Sequence, residues 1–148
     1  MRISLHRVFV LSAIVILTLT AAAKLFSTTG TAGILNEPDP LLPMTYRQML
    51  LCAAILELAA AGYLAVNRNR LVNYLSIIWL SITFILYRVG LWLVGVDDYC
   101  LCLGTVTARL RIEPAAVDHV LKAVILYFLV GGFCLFAQEW RQLCRVKT

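Results

Sequence analysis

Apolar residues run through this chain in four long blocks, at about 8–26, 48–66, 71–96 and 116–137, separated by polar or proline-containing links. A helix needs about 20 residues to cross a bilayer core, and each block is close to that length. Backbone groups left unpaired in hydrocarbon are too costly, so every block is expected to be helical. The pattern predicts an all-α protein: a four-transmembrane-helix bundle forming one integral membrane domain over 1–148.

The links differ in kind. Asn67-Arg-Asn-Arg70 is a tight polar turn, so spans two and three are expected to be antiparallel neighbours. The stretch 27–47 holds Gly30, Gly33 and the three prolines of EPDPLLP, which suits an ordered loop or short caps and excludes a fifth helix. Pro114, at the end of the 97–113 link, fits the first turn of span four. The adjacent Gly131 and Gly132 would let another helix approach span four closely.

Charge then gives a direction. The N-terminus, the 67–70 turn and the C-terminal tail carry Arg2, Arg7, Arg68, Arg70, Arg141, Arg145 and Lys147, against Glu139. The two longer links carry Arg47, Arg109 and Arg111 with Glu37, Asp39, Asp97, Asp98 and Glu113. Basic residues stay in the cytoplasm, so both termini are expected inside and both longer loops outside. Arg2 and Arg7, the apolar run and Ala21-Ala22-Ala23 also match a secretory signal with an A-x-A cleavage site, which would leave three spans. Continuation of the apolar run to Phe26 favours a retained span.

Composition narrows the class further. Hydrophobic residues make up 61% and charged residues 14%, with a net charge of +5. A chain this small cannot bury so much apolar surface within itself. A soluble enzyme, a nucleic-acid-binding module and a disordered tail are therefore excluded, and membrane lipid is the expected surrounding.

Five ionisable residues fall inside the spans: Lys24, Glu57, Arg88, Asp118 and Lys122. Charge in a bilayer is expensive and usually faces a bundle interior. At about 1.5 Å per residue, Glu57 lies roughly 14 Å and Arg88 roughly 12 Å below the outer surface. Consecutive helices at equal depth predict a Glu57–Arg88 ion pair. Asp118 and Lys122, four apart, are expected to pair across one turn. Lys24 is expected to snorkel to the outer interface. The outer half would then hold a polar cluster while the inner half is almost wholly apolar. The Glu57–Arg88 pair either fixes helix register or shapes a pocket for a quinone headgroup, a proton or a small substrate. His119, beside Asp118, reads as an interfacial residue.

Five cysteines exclude a dense disulfide scaffold. Cys100 and Cys102 follow span three on the expected outer side, where disulfides persist. A bridge between them would close a small strained ring, and strain favours reduction, as transient exchange with another thiol requires. A static loop staple is the competing use. Cys52, close to the outer end of span two, is a candidate resolving thiol. Cys134 is expected to be an apolar filler, and Cys144 a reduced thiol of the cytoplasmic tail. Two thiolates and one histidine make a poor zinc site, so no metal is expected.

With these residues in view, the chain resembles the MauE/DoxX-like membrane proteins over about residues 7–137. The resemblance rests on Ala23-Lys24-Leu25-Phe26 ending span one, Arg47 before span two, Glu57 within it, and Cys100-Leu-Cys102-Leu-Gly104 after span three. The family's motif is commonly Cys-x-Cys-Phe-Gly, from which Leu103 departs conservatively. What the resemblance implies is a bacterial inner-membrane protein that aids disulfide formation or maturation of an exported protein, beside a thioredoxin-like partner. It also implies likeness in architecture to four-helix enzymes that pass electrons to a membrane quinone. DoxX-like relatives without this chemistry keep open a non-redox accessory subunit.

Three functions are consistent with these features. The first is a membrane thiol–disulfide relay or accessory factor using Cys100 and Cys102, with an exported thiol protein as partner and a membrane quinone as electron acceptor. The second is a non-catalytic subunit of a larger membrane complex, without thiol dependence. The third is a small-molecule carrier built on the intramembrane polar cluster, requiring oligomerisation and dependent on Glu57.

Overall fold

A computed structural model describes residues 2–30, 33–95 and 114–146. Four α-helices make up the bundle: α1 (Arg2–Thr28), α2 (Tyr46–Val66), α3 (Arg70–Leu93) and α4 (Pro114–Val146). All four are long and apolar enough to cross a membrane. The chain is a multi-pass α-helical membrane protein. Its outward surface carries large apolar side chains in helical rows, such as Val8, Leu11, Val15 and Leu19 on α1, as expected of a lipid-facing wall.

Local chemistry sets the helix limits. Thr45 and Gln48 form a reciprocal capping box at the start of α2. At the α2–α3 turn, the backbone N–H of Asn67 donates to the Tyr63 carbonyl and the Asn69 side chain caps Leu71, so three residues suffice. Gly95, at φ 78°, supplies the left-handed residue just past α3. Pro114 occupies the first position of α4, where its missing N–H costs nothing. α1 and α4 extend beyond the apolar blocks, whereas α3 stops at Leu93, three residues short of its block.

Between α1 and α2 the chain makes a single 3₁₀ turn (Gly33–Asn36) and then a folded cap. Pro38 pairs with Thr45 in an isolated antiparallel bridge, and Asp39 accepts from the backbone N–H groups of Leu41 and Leu42 at 2.9 and 3.0 Å. The expected loop with short caps is what forms.

The helices pack as two pairs, α1 with α2 and α3 with α4. Alanines explain the first pair: Ala13, Ala21 and Ala54 are fully buried, and small residues let helices approach without a hydrophobic driving force. In the second pair, a Cβ on Gly132 would lie 2.8 Å from Ile78 and 3.8 Å from the Tyr74 carbonyl oxygen, so only glycine admits this approach. Gly131 does the same toward α1, where a Cβ would meet the Phe9 ring at 2.5 Å. The expectation of close packing at these glycines holds. α2 and α3, joined by the short turn, meet only sparingly, so they are not the packing neighbours that loop length suggested. A tight turn fixes the order of two helices, but side-chain size decides which faces close.

Candidate intramembrane site

The two ends of the bundle differ in chemistry. The loop end is where α1 and α3 finish and α2 and α4 begin. There Lys24 Nζ lies 2.6 Å from Glu57 Oε1, with both side chains buried. Thr20 Oγ1 is 3.1 Å from Glu57 Oε2 and 3.1 Å from the Leu17 carbonyl, so its single proton serves one at a time. The Lys24 ammonium also stands 5.6 Å from the centre of the Phe84 ring, where the ring face attracts a cation.

On the other helix pair, Arg88 Nη2 approaches Asp118 Oδ1 to 2.5 Å, and Lys122 Nζ reaches Asp118 Oδ2 at 2.7 Å. Asp118 thus serves two cations. Each carboxylate oxygen takes one of them, a charge-assisted contact on either side.

These distances correct two expectations. Glu57 pairs with Lys24 and not with Arg88; Arg88 pairs with Asp118. Depth along the bilayer normal is necessary for an ion pair, but the lateral neighbour decides it, and α2 packs on α1. Lys24 does not snorkel to the interface. Side chains lean toward their own helix N-terminus, so Lys24 leans into the bundle and Glu57 leans up to meet it. The Asp118–Lys122 pair forms as expected. His119 is exposed near the start of α4.

The inner half is not almost wholly apolar either. At the end holding both termini, His6 Nδ1 lies 2.9 Å from the Tyr74 hydroxyl, and Ser12 Oγ lies 2.9 Å from the Tyr127 hydroxyl. Asn73, buried, donates to the Asn67 carbonyl at 3.1 Å, and Arg70 faces Glu139 at 3.6 Å. Tyrosine and histidine bodies count as span residues in a sequence, and their polar tips become visible only when another helix supplies a partner.

A half-enclosed cavity of about 80 Å³ sits among all four helices in the loop half. Its wall is chiefly Ile16, Leu17, Leu50, Ala53, Leu80, Phe84, Val124 and Phe128, and its polar groups are Thr20, Lys24, Glu57, Ser81, Tyr87 and Arg88. Tyr87, and Asp39 bonded behind it, are residues that the pattern of the sequence did not single out. The Tyr87 hydroxyl donates to Asp39 Oδ2 at 2.5 Å, which ties the α1–α2 cap to α3. Leu41 reinforces the tie by lying against Gly90, where a Cβ would meet it at 2.8 Å. An acid within a proline-rich turn was the available signal, but nothing in the sequence aims it at α3. Arg47 acts locally, its Nη2 donating to the Gly30 carbonyl at 3.2 Å and pinning the start of α2 to the end of α1.

Cys100 and Cys102 lie outside the described residues. Cys52 is exposed on the outward side of α2 and does not line the cavity. Cys134 is also exposed, facing outward from α4, so it is not the apolar filler that its deep position suggested. Its place on the helix circumference, and not its depth, sets its surroundings. Cys144 lies within α4, which runs on to Val146, and not in a separate tail. Among the described residues, no three His, Cys, Asp or Glu side chains gather as a metal site. Comparison with protein-family models, with curated proteins and with solved structures finds no match for this chain.

Proposed function

We propose that this protein is a membrane thiol–disulfide relay, or accessory factor, for oxidative maturation of an exported protein, with its loop end facing out of the cytoplasm of a bacterial inner membrane. One observation carries the reading most of the way. The short ion pairs and the cavity lie at the end of the bundle where α3 finishes and α4 begins, and the segment between them bears Cys100-Leu-Cys102.

The chemistry balances as follows. A thiolate of the exported protein, or of a thioredoxin-like partner, attacks one sulfur of the Cys100–Cys102 disulfide and forms a mixed disulfide. A second substrate thiol resolves it, leaving the substrate oxidised and Cys100 and Cys102 as a dithiol. A membrane quinone takes the two electrons and two protons of that dithiol and leaves as quinol, restoring the bridge.

The test is thiol trapping on the full chain in intact cells with a membrane-impermeant reagent, followed by the same assay on C100S/C102S. The relay requires both thiols to be accessible from outside and the double variant to lose oxidation of the exported thiol protein while inserting normally. Thiols labelled only from the cytoplasm, or undiminished oxidation by the variant, overturn it. The cavity also favours a second reading, a small-molecule carrier, in which E57Q stops transport and the cysteine variants remain active.

A further inference from the structure

The charges on the cavity wall do not cancel. Lys24, Arg88 and Glu57 line it, whereas Asp118 stands behind Arg88. Glu57 answers Lys24 at 2.6 Å. Asp118 is divided between Arg88 at 2.5 Å and Lys122 at 2.7 Å, so its one charge offsets one of the two. The cluster therefore holds three cations on two carboxylates, and the wall itself two cations on one. Unbalanced positive charge beside hydrocarbon is expensive. One added negative charge removes the excess, a further cation deepens it, and a neutral molecule leaves it as it stands.

The two wall cations come from different helix pairs and face one space. Lys24 stands 5.6 Å from the centre of the Phe84 ring, and Arg88 follows Phe84 by one turn on the same face of α3. Each has donors beyond those its carboxylate takes. An ammonium carries three N–H groups, and one serves Glu57; a guanidinium carries five, and Nη2 serves Asp118. Lys24 lies four residues and Arg88 five residues from the loop-side ends of α1 and α3, about 6–8 Å in at the helical rise. Deeper still the wall is apolar, with Leu17, Leu80 and Phe128. Charge toward the membrane surface and hydrocarbon toward the midplane match the polarity of an amphiphile lying in one leaflet.

Volume and access select the shape of that amphiphile. About 80 Å³ is less than the roughly 150 Å³ that holds a whole benzene in a closed cavity, so a stretch of linear chain fits where a ring does not. The space is half-enclosed and lies where the two helix pairs face each other; those pairs meet only sparingly, which lets a chain enter between them from lipid. We propose that the cavity binds one acyl chain with a monoanionic head, its phosphodiester or carboxylate held by Lys24 and Arg88 and its methylenes lying on Leu17, Leu80 and Phe128. The site goes beyond the relay reading and makes no use of Cys100 or Cys102.

The experiment is native mass spectrometry of the full chain released from a neutral detergent, titrated with dioleoyl phosphatidylglycerol, dioleoyl phosphatidylcholine, oleate and oleyl alcohol. Saturable retention of one phosphatidylglycerol or one oleate per chain is expected, about tenfold tighter than either uncharged-head counterpart. Retention of phosphatidylglycerol assigns the head to a phospholipid of the bilayer, and retention of oleate alone assigns it to a free fatty carboxylate. R88Q leaves Asp118 to Lys122 and weakens the anionic probe by about tenfold, the loss of one hydrogen bond to a charged group. A53L, which fills the cavity from α2, abolishes one-to-one retention. Where A53L does not fold, V124F fills the same space from α4 and carries the same expectation. Equal retention of anionic and uncharged-head probes by the folded wild type overturns the proposal, as does binding of anionic lipid without saturation. Wild-type retention by R88Q or by the folded cavity-filling variant overturns it as well. C100S/C102S retains the probe as the wild type does, so thiol oxidation by that variant bears on the relay alone, and anion selectivity of the wild type bears on the site alone.

Discussion

The two ends of this bundle handle polar groups in opposite ways. At the end holding the termini, polarity is mostly neutral and consumed: His6 on Tyr74, Ser12 on Tyr127, and aromatic rings gathered around Phe9, with the space beside Gly131 and Gly132 filled by Phe9 and Ile78. The ion pair found there, Arg70–Glu139, is partly exposed and long at 3.6 Å. At the loop end the polar groups are charged, largely buried and arranged around empty space. Close packing and a cavity are alternative uses of the same four helices. The first stabilises the bundle, and the second leaves room for a ligand at the cost of contacts that would otherwise be made.

The contrast can be broken most strongly at Glu57. Replacing it with Leu leaves the Lys24 ammonium buried without its partner, and destabilisation of about 3–5 kcal/mol is expected in thermal or denaturant unfolding of the detergent-solubilised protein. K24L/E57L should recover most of that loss, because two apolar groups of similar size replace the pair. A double variant as unstable as E57L would mean that the pair does more than compensate itself.

Gly131 tests the packed end. G131L drives a side chain into the Phe9 ring, and a loss of about 1–3 kcal/mol is expected from overpacking. Because the clash is local to α1 and α4 at the far end, its loss should add to that of E57L in the double variant. A double variant that departs from additivity would show that the two ends are coupled.

The smallest effect belongs to Arg70. R70A removes a partly exposed pair whose geometry is long, so a change within about 1 kcal/mol is expected by the same unfolding measurement, fading further at high salt. A larger effect would mark the packed end as electrostatically held, contrary to the comparison with Lys24–Glu57.

Much of the architecture was legible along the chain. Four apolar blocks, a polar turn within 67–70, a proline-rich cap and Pro114 at a helix start each reflect a local rule, and each is found close to where it was expected. The site was legible as a membership: Lys24, Glu57, Arg88, Asp118 and Lys122 do gather in one half of the bundle. Asp118–Lys122 could be paired correctly because both partners lie on one helix turn. The other pairings could not. Glu57 had two cations within plausible depth, and the choice between Lys24 and Arg88 depended on which helix lay beside α2.

By itself, then, the sequence determined what does not depend on a second helix: that the chain holds four helices fit to span a membrane, where most of their ends fall to within a few residues, and which positions carry charge into hydrocarbon. Only the tertiary structure decided who meets whom. Burial of Ala13, Ala21 and Ala54 brings α1 to α2, Gly132 brings α3 to α4, and Asp39 reaches across to Tyr87. The physical reason is that hydropathy and helical period act within one segment, whereas an ion pair, a cavity or a glycine contact is a relation between segments, set by side-chain volumes that must fit together in three dimensions.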